Sequence, residues 1–214
     1  MQLYTFFRSS TSFRLRIALA YKSMPYEARY TSLPKMEHAK ADFLSVNPQG
    51  LVPALIDDAG KVFTQSMAMI EYLDDIKPMP ALMPKGAEEK WYVRAVSQII
   101  GCEMHPLNNV RVLKYLKSAY GLDDDKINQD WYPHWVDEGM RGLEAFLVAQ
   151  NRSGTFCLGD QFTMADVCLV PQIYNAKRFN CNLAPYPVSM KIFEACARLD
   201  CVTTSEPSTQ RDAV

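Results

Sequence analysis

The sequence predicts an α/β layer followed by an all-helical domain, and three observations carry that prediction. Short strand-like and helical segments alternate over the N-terminal third of the chain. A break at residues 77 to 86 (KPMPALMPKG) gathers three prolines and a glycine, a composition that stops a helix and suits a connection between domains. Beyond it, only helical periodicity recurs.

Taken in order, residues 2 to 6 (QLYTF) read as a strand, and residues 11 to 22 as a helix with Leu15, Ile17, Ala18 and Tyr21 able to share a face. Residues 26 to 30 (YEARY) suit a second strand and residues 37 to 45 a short helix. Residues 54 to 56 and 61 to 63 form two strands around the turn Asp58-Ala59-Gly60, and a helix opens at Ser66 with Met67, Ile70, Tyr72 and Leu73. The order β-α-β-α-β-β-α implies helices on a small mixed sheet. We place the domains at 1–80 and 87–214. The second has helical patterns at 88 to 118, 126 to 150, 164 to 180 and 188 to 199. Thr163-Met164-Ala165-Asp166 reads as a capping box, a device of many folds that carries no chemistry by itself. The polar tail from Thr203 onward lacks apolar periodicity and is expected to be loosely ordered.

Composition narrows the function classes. In 214 residues, 23 basic side chains nearly balance 24 acidic ones, so no excess field points to nucleic acid or a membrane surface. The N-terminus lacks the marks of a signal peptide and no apolar run reaches membrane-spanning length, so a cytoplasmic protein is expected. Cys102, Cys157, Cys168, Cys181, Cys196 and Cys201 show neither C-x-x-C nor zinc spacing and read as reduced; no metal is expected. The first 101 residues hold no cysteine, so thiol chemistry there needs a thiol from outside.

Three features of the N-terminal domain suit an anionic, thiol-bearing ligand. Arg8-Ser9-Ser10-Thr11-Ser12-Phe13-Arg14 gathers hydroxyls where the first strand hands over to a helix, and a hydroxyl donor with the helix field lowers a bound thiol's pKa. Ser10 or Thr11 acting as a plain N-cap explains the same residues. Asn47-Pro48-Gln49-Gly50-Leu51-Val52-Pro53 sets a proline at a strand entrance. A cis Val52–Pro53 bond there would turn the Val52 backbone outward as an edge for an extended peptide, whereas an ordinary trans turn is the commoner outcome. Thr64-Gln65-Ser66 opens a helix whose N-terminus could take a carboxylate, with capping again the plain alternative.

The run Arg8-Ser9-Ser10-x-Ser12-Phe13-Arg14-Leu15-Arg16-Ile17-Ala18-Leu19 resembles the signature S-S-C-x-W-R-V-R-I-A-L of the zeta-class glutathione transferases and maleylacetoacetate isomerases. The likeness continues through Asn47 to Pro53, Gln65-Ser66-x-Ala68-x-Ile70-Glu71-Tyr72-Leu73, His105-Pro106-x-Asn108-Asn109 and Gly159-Asp160-x-x-Thr163-x-Ala165-Asp166 to Gln172, covering residues 2 to 187. It implies a thioredoxin-like N-terminal domain that holds glutathione, a helical-bundle C-terminal domain that shapes the second-substrate site, and a homodimer. By the resemblance, Ser9, Ser10 and Thr11 face the glutathione sulfur and Val52, followed by Pro53, pairs with its cysteinyl backbone. Gln65 and Ser66 hold its γ-glutamyl end and His38 lies near its glycyl end, while His105, Asn109 and Arg111 approach from the second domain.

Two departures stand out: Thr11 replaces the usual cysteine and Phe13 the usual tryptophan. Thiol–disulfide side activity therefore becomes doubtful, while isomerisation needs only a hydroxyl donor and a bound thiol. The expected function is glutathione-dependent cis–trans isomerisation of a small maleyl dicarboxylate, with maleylacetoacetate as substrate. Maleylpyruvate is the alternative, since bacterial maleylpyruvate isomerases share the threonine, and a zeta-class transferase conjugating electrophilic acids is the nearest chemical competitor. Arg8 and Arg178 are the candidates to grip the substrate carboxylates, with Arg111 and Asn108 next. His105 reads as a positioning donor, and His134, between Trp131 and Trp135, as structural or partly exposed.

Overall fold

The computed structural model describes residues 1–213 and divides into two compact units, Met1–Met83 together with the segment from Arg198, and Pro84–Ala197. The first unit carries β1 (Gln2–Thr5), α1 (Ser10–Tyr21), β2 (Glu27–Tyr30), α2 (Ala41–Val46), β3 (Ala54–Ile56), β4 (Val62–Thr64) and α3 (Ser66–Ile76). The sheet order is β2-β1-β3-β4, with β1 parallel to β2 and antiparallel to β3, and β3 antiparallel to β4. The mixed sheet expected from the element order is therefore the one formed.

Strand alternation divides the core. Leu3 and Leu55 are fully buried with Leu15, Ile17, Leu19, Met69, Ile70 and Leu73 of the mutually contacting α1 and α3. Tyr4, one residue from Leu3, belongs instead with Phe6, Phe7, Phe43 and Val52, and its ring centroid lies 5.7 Å from that of Phe43 on α2. The proline-rich connection is held rather than slack. Buried Lys22 at the end of α1 pairs with Asp74 at 2.7 Å and donates to the carbonyls of Lys77 (2.7 Å) and Pro80 (2.9 Å), so its charge is satisfied on several sides. Asp74 also accepts from the amides of Leu82 (2.7 Å) and Met83 (3.1 Å), fixing the chain up to the end of the unit.

The C-terminal segment departs from the sequence-based expectation. Residues 198–213 group with the first unit, not with the helical domain, and they are folded. A short helix α10 (Asp200–Thr203) contacts α1, Val202 is 1% exposed, and the Ser205 carbonyl accepts from Arg16 Nε at 3.0 Å. The physical reason lies in Arg16, a buried guanidinium whose donors need acceptors that the tail backbone supplies.

The second unit is helical: α4 (Ala87–Gln98), α5 (Val110–Tyr120), α6 (Asp124–Lys126), α7 (Tyr132–Gln150), α8 (Met164–Arg178) and α9 (Pro187–Cys196). The single pattern expected over 88 to 118 is broken. The chain leaves α4 through a wide π-type turn (Ile99–Met104) and a 3-10 turn (His105–Asn108), where Pro106 has no N–H to continue a helix. A second wide turn, Ile127–Trp131, precedes α7. The Thr163–Asp166 capping box is formed, with the fully buried Asp166 carboxylate accepting from the amides of Cys157 (2.7 Å) and Thr163 (2.8 Å).

Candidate active site

After β1 the chain turns through Phe6, Phe7 and Arg8, and Ser9 takes an extended conformation (φ −71°, ψ 120°) as the N-cap of α1. Its N–H donates to Phe6 O at 3.0 Å, and its Oγ accepts from Ser12 N–H at 3.2 Å, satisfying one of the unpaired amides of the first turn. Thr11 Oγ1 donates to the Val52 carbonyl at 3.0 Å and lies 3.0 Å from Ser9 Oγ. A threonine hydroxyl has one proton and a carbonyl has none, so the Ser9–Thr11 bond is donated by Ser9. The chain thus runs in one direction, from Ser12 N–H to Ser9, to Thr11, to Val52 C=O. Its consequence is chemical: Thr11's proton is committed to the backbone, and Ser9 holds the hydroxyl proton that can be redirected to a ligand. Ser10, 6% exposed, is the first residue of α1.

Val52 is delivered by a loop built on Asn47. This buried side chain donates to Leu51 O at 2.7 Å and accepts from Gln49 N–H at 3.1 Å. Gly50 sits at φ +63°, where a Cβ would strain the backbone and lie 3.2 Å from His38 O, so the glycine of the Asn-Pro-Gln-Gly run is required twice over. The Val52–Pro53 peptide is cis, the outcome the motif admitted against the commoner trans turn. His38, half-buried on the 3-10 turn Glu37–Ala39, thereby has its carbonyl beside this loop.

The N-terminus of α3 is built differently. Gln65 occupies φ 67°, ψ 102°, a left-handed backbone that costs a non-glycine residue of order 1–3 kcal/mol, and no side chain caps the helix. The capping role that would have been the plain explanation for Thr64-Gln65-Ser66 is not filled by a side chain. Gln65 Nε2 instead donates to Gln49 Oε1 at 2.9 Å, joining the α3 end to the Val52 loop, and Ser66 is 7% exposed. A helix N-terminus with an exposed carboxamide and no side-chain cap is suited to a carboxylate.

Arg8 is exposed beside Ser9, its guanidinium carbon 4.9 Å from the Phe7 ring centroid and 5.9 Å from that of Phe6. In the second unit, His105 and Asn108 bound the 3-10 turn before α5; both are half-buried. That turn is tied to the start of α7 by Asn108 Nδ2 donating to Tyr132 O at 3.2 Å and by Trp131 Nε1 donating to Leu107 O at 3.0 Å. Tyr132 stacks on Phe179 with centroids 3.7 Å apart, and the Arg178 guanidinium lies 4.5 Å from the Phe179 ring. Burial pushes the Tyr132 phenol above its ordinary value, and the Arg178 charge partly opposes it.

Asn108 and Arg178 are therefore joined through Tyr132 and Phe179, residues that sequence reasoning passed over because single aromatics in a helix read as core. Asn109 caps α5, accepting from Arg111 N–H at 3.1 Å, and Arg111 is exposed in that first turn. His134 is exposed, edge-on to Trp135. Asn47 and Gln49 were also missed as individuals, although they lie inside a quoted motif.

Comparison with known proteins fits this geometry. Residues 8–76 match the model of the glutathione S-transferase N-terminal domain and residues 129–188 that of the C-terminal domain. Over 213 residues, 100% of both chains, the protein is 44% identical to the maleylpyruvate isomerase of a Ralstonia species. It is 40% identical to a probable maleylacetoacetate isomerase of Vibrio cholerae, covering 99% of this chain and 97% of the relative. The structure superposes over 100% of both chains, with a TM-score of 0.96 and 34% identity, on a maleylacetoacetate isomerase of Methylobacterium extorquens AM1 solved with malonate and glutathione bound. With its thioredoxin-like sheet unit, its helical unit and relatives aligned end to end, the chain belongs to the zeta-class glutathione transferase family, the group of the maleylacetoacetate and maleylpyruvate isomerases.

Proposed function

We propose that this chain is a glutathione-dependent cis–trans isomerase acting on a maleyl-substituted keto acid, with maleylpyruvate as the leading substrate. Maleylacetoacetate, the substrate expected from the signature alone, is kept as the second reading because named relatives carry that activity. The order changes because Thr11 stands where the signature has cysteine, and the maleylpyruvate isomerase of Ralstonia is the more similar of the two relatives compared.

The observation that carries the proposal is the one-way hydroxyl chain ending on Val52. The residues fit glutathione: the uncapped α3 end with Gln65 and Ser66 suits its γ-glutamyl carboxylate, the Val52 backbone suits its cysteinyl peptide, and Ser9 suits its sulfur. His38 is proposed near the glycyl end. When bound, glutathione supplies a thiolate that adds reversibly to the maleyl double bond, leaving a single bond free to rotate before the thiolate departs. Ser9 holds the sulfur in its charged form by donating the proton that Thr11 otherwise receives, and the α1 N-terminus adds its partial positive charge.

Addition drives negative charge onto the substrate's carbonyl oxygen, and Arg8, next to Ser9 and exposed, is proposed to grip a carboxylate and stabilise that charge. The same gripping role is proposed for Arg178, with Asn108 beside it through Tyr132. His105, Asn109 and Arg111 are proposed as further ligand contacts. An absorbance assay of maleylpyruvate and maleylacetoacetate, with and without catalytic glutathione, tests the reading. Turnover that needs glutathione but leaves the free thiol unchanged is expected; stoichiometric thiol loss would replace isomerisation by conjugation.

A further inference from the structure

The backbone of Phe7 has no place in the sheet, since β1 ends at Thr5, yet both of its polar groups are bonded. Its N–H donates to Asp212 Oδ2 at 3.0 Å, and its carbonyl accepts from Arg16 Nη2 at 3.0 Å. Arg16 reaches Phe6 O (3.4 Å) and Thr5 Oγ1 (3.3 Å) with Nη1, while Nε donates to Ser205 O at 3.0 Å. The two residues that lead into Arg8 and Ser9 are thus held between a buried guanidinium and a carboxylate, and both anchors involve the C-terminal segment. Ala213 packs against the cluster of Phe6, Phe7, Phe43 and Val52, so the same segment underlies the loop that presents the Val52 backbone.

We propose that Asp212 is a positioning residue of the reaction. By fixing the Phe7 amide it sets the direction in which the chain enters Ser9, and so aims the Ser9 hydroxyl at the sulfur. The Asp212 bond acts by leverage. Ser9 is two residues from Phe7 and its own N–H is spent on Phe6 O at 3.0 Å, so a shift of the Phe6–Phe7 peptides moves the Ser9 Oγ directly. A donor to a thiolate is sensitive to such a shift, and a displacement of about an ångström at a reacting group can cost on the order of a hundredfold. No signal in the tail's own sequence points to this, because its carboxylate and its target are 205 positions apart.

The inference rests on the glutathione reading, and its test separates the two. In the full-length protein, Asp212→Ala removes the acceptor while Asp212→Asn keeps an oxygen for the Phe7 amide. The bound thiolate is titrated by its ultraviolet absorbance, with the melting temperature and Phe7 amide exchange measured in parallel. The expected result is that Asp212→Ala lowers kcat by roughly five- to tenfold, raises the bound thiol's pKa, speeds Phe7 amide exchange and leaves KM for the maleyl acid unchanged, with Asp212→Asn close to wild type. In a Ser9→Ala background, Asp212→Ala should add no further thiol shift, since it acts through Ser9. If wild-type protein does not lower the thiol pKa at all, the glutathione reading fails. If it does and Asp212→Ala titrates and turns over like wild type, or shifts the thiol equally without Ser9, the positioning role is overturned.

Discussion

Two helices of the first unit open toward the proposed glutathione site, and their N-termini are finished in opposite ways. The end of α1 is closed by Ser9, whose Oγ accepts an amide of the first turn and whose own proton is passed to Thr11. The end of α3 is left without a side-chain cap, and its N-cap residue Gln65 holds a left-handed backbone with φ 67°. The contrast teaches a division of labour. A cap that both accepts from the helix and retains a redirectable hydroxyl proton suits a sulfur whose charge must be tuned, whereas bare amides with a carboxamide beside them suit a carboxylate that needs only to be held. The strained backbone at Gln65 fits the second role, since strain that no local interaction explains is commonly kept for a ligand.

The largest effect expected from breaking this contrast is at Ser9. Ser9→Ala deletes the donor to the thiolate, a charge-assisted bond of roughly 1.5–3 kcal/mol, which corresponds to a rise of about one to two units in the thiol pKa. The sign follows directly: losing a donor to the charged form raises the pKa, so activity should be lost at neutral pH and partly regained as pH rises. The limb of the kcat/KM profile that reports the thiol checks this, and an unmoved limb would transfer the activation to the helix end.

The α3 end should respond in affinity rather than in acidity. Ser66→Ala is expected to weaken glutathione binding roughly tenfold, about 1.4 kcal/mol, while the thiol pKa of the bound fraction stays at its wild-type value. Calorimetric titration combined with thiolate absorbance measures both. A thiol shift comparable to that of Ser9→Ala would erase the distinction between the two ends.

Much of this was legible in the sequence, and what was not has a common physical cause. Strands, the starts of α1 and α3 to within a residue and the Thr163–Asp166 box follow from local periodicity and, for the box, from capping chemistry, which short stretches of sequence display. The loop at Asn47 to Pro53 was recognisable because Gly50 and Pro53 are locally constrained residue types. The backbone of Gln65 was not, since nothing in glutamine announces a positive φ. Equally hidden were the folding of the tail, which depends on Arg16 meeting Ser205 across 189 positions, and the direction of the hydroxyl chain. That direction depends on the Val52 carbonyl facing Thr11 from 41 residues away. The break in the helical run after α4 was foreshadowed by Pro106, whereas its wide turn has no comparable marker.

The smallest and most discriminating effect concerns Thr11, the residue where the signature's cysteine is replaced. Its single proton goes to the Val52 carbonyl, so it accepts the Ser9 proton while no ligand is bound and does not itself donate to the sulfur. Thr11→Val keeps the shape and removes an acceptor that competes with the sulfur for the Ser9 proton, an effect bounded by one neutral hydrogen bond of about 0.5–1.5 kcal/mol. The bound thiol's pKa is expected to hold or fall slightly and kcat to stay within roughly threefold of wild type, with Thr11→Ser matching wild type in both. Glutathione affinity should hold or improve slightly, because the bound peptide's N–H then meets no competing donor at the Val52 carbonyl. If Thr11→Val instead raises the thiol pKa as far as Ser9→Ala, the threonine is the thiolate donor, and the hydroxyl chain reverses when the ligand binds.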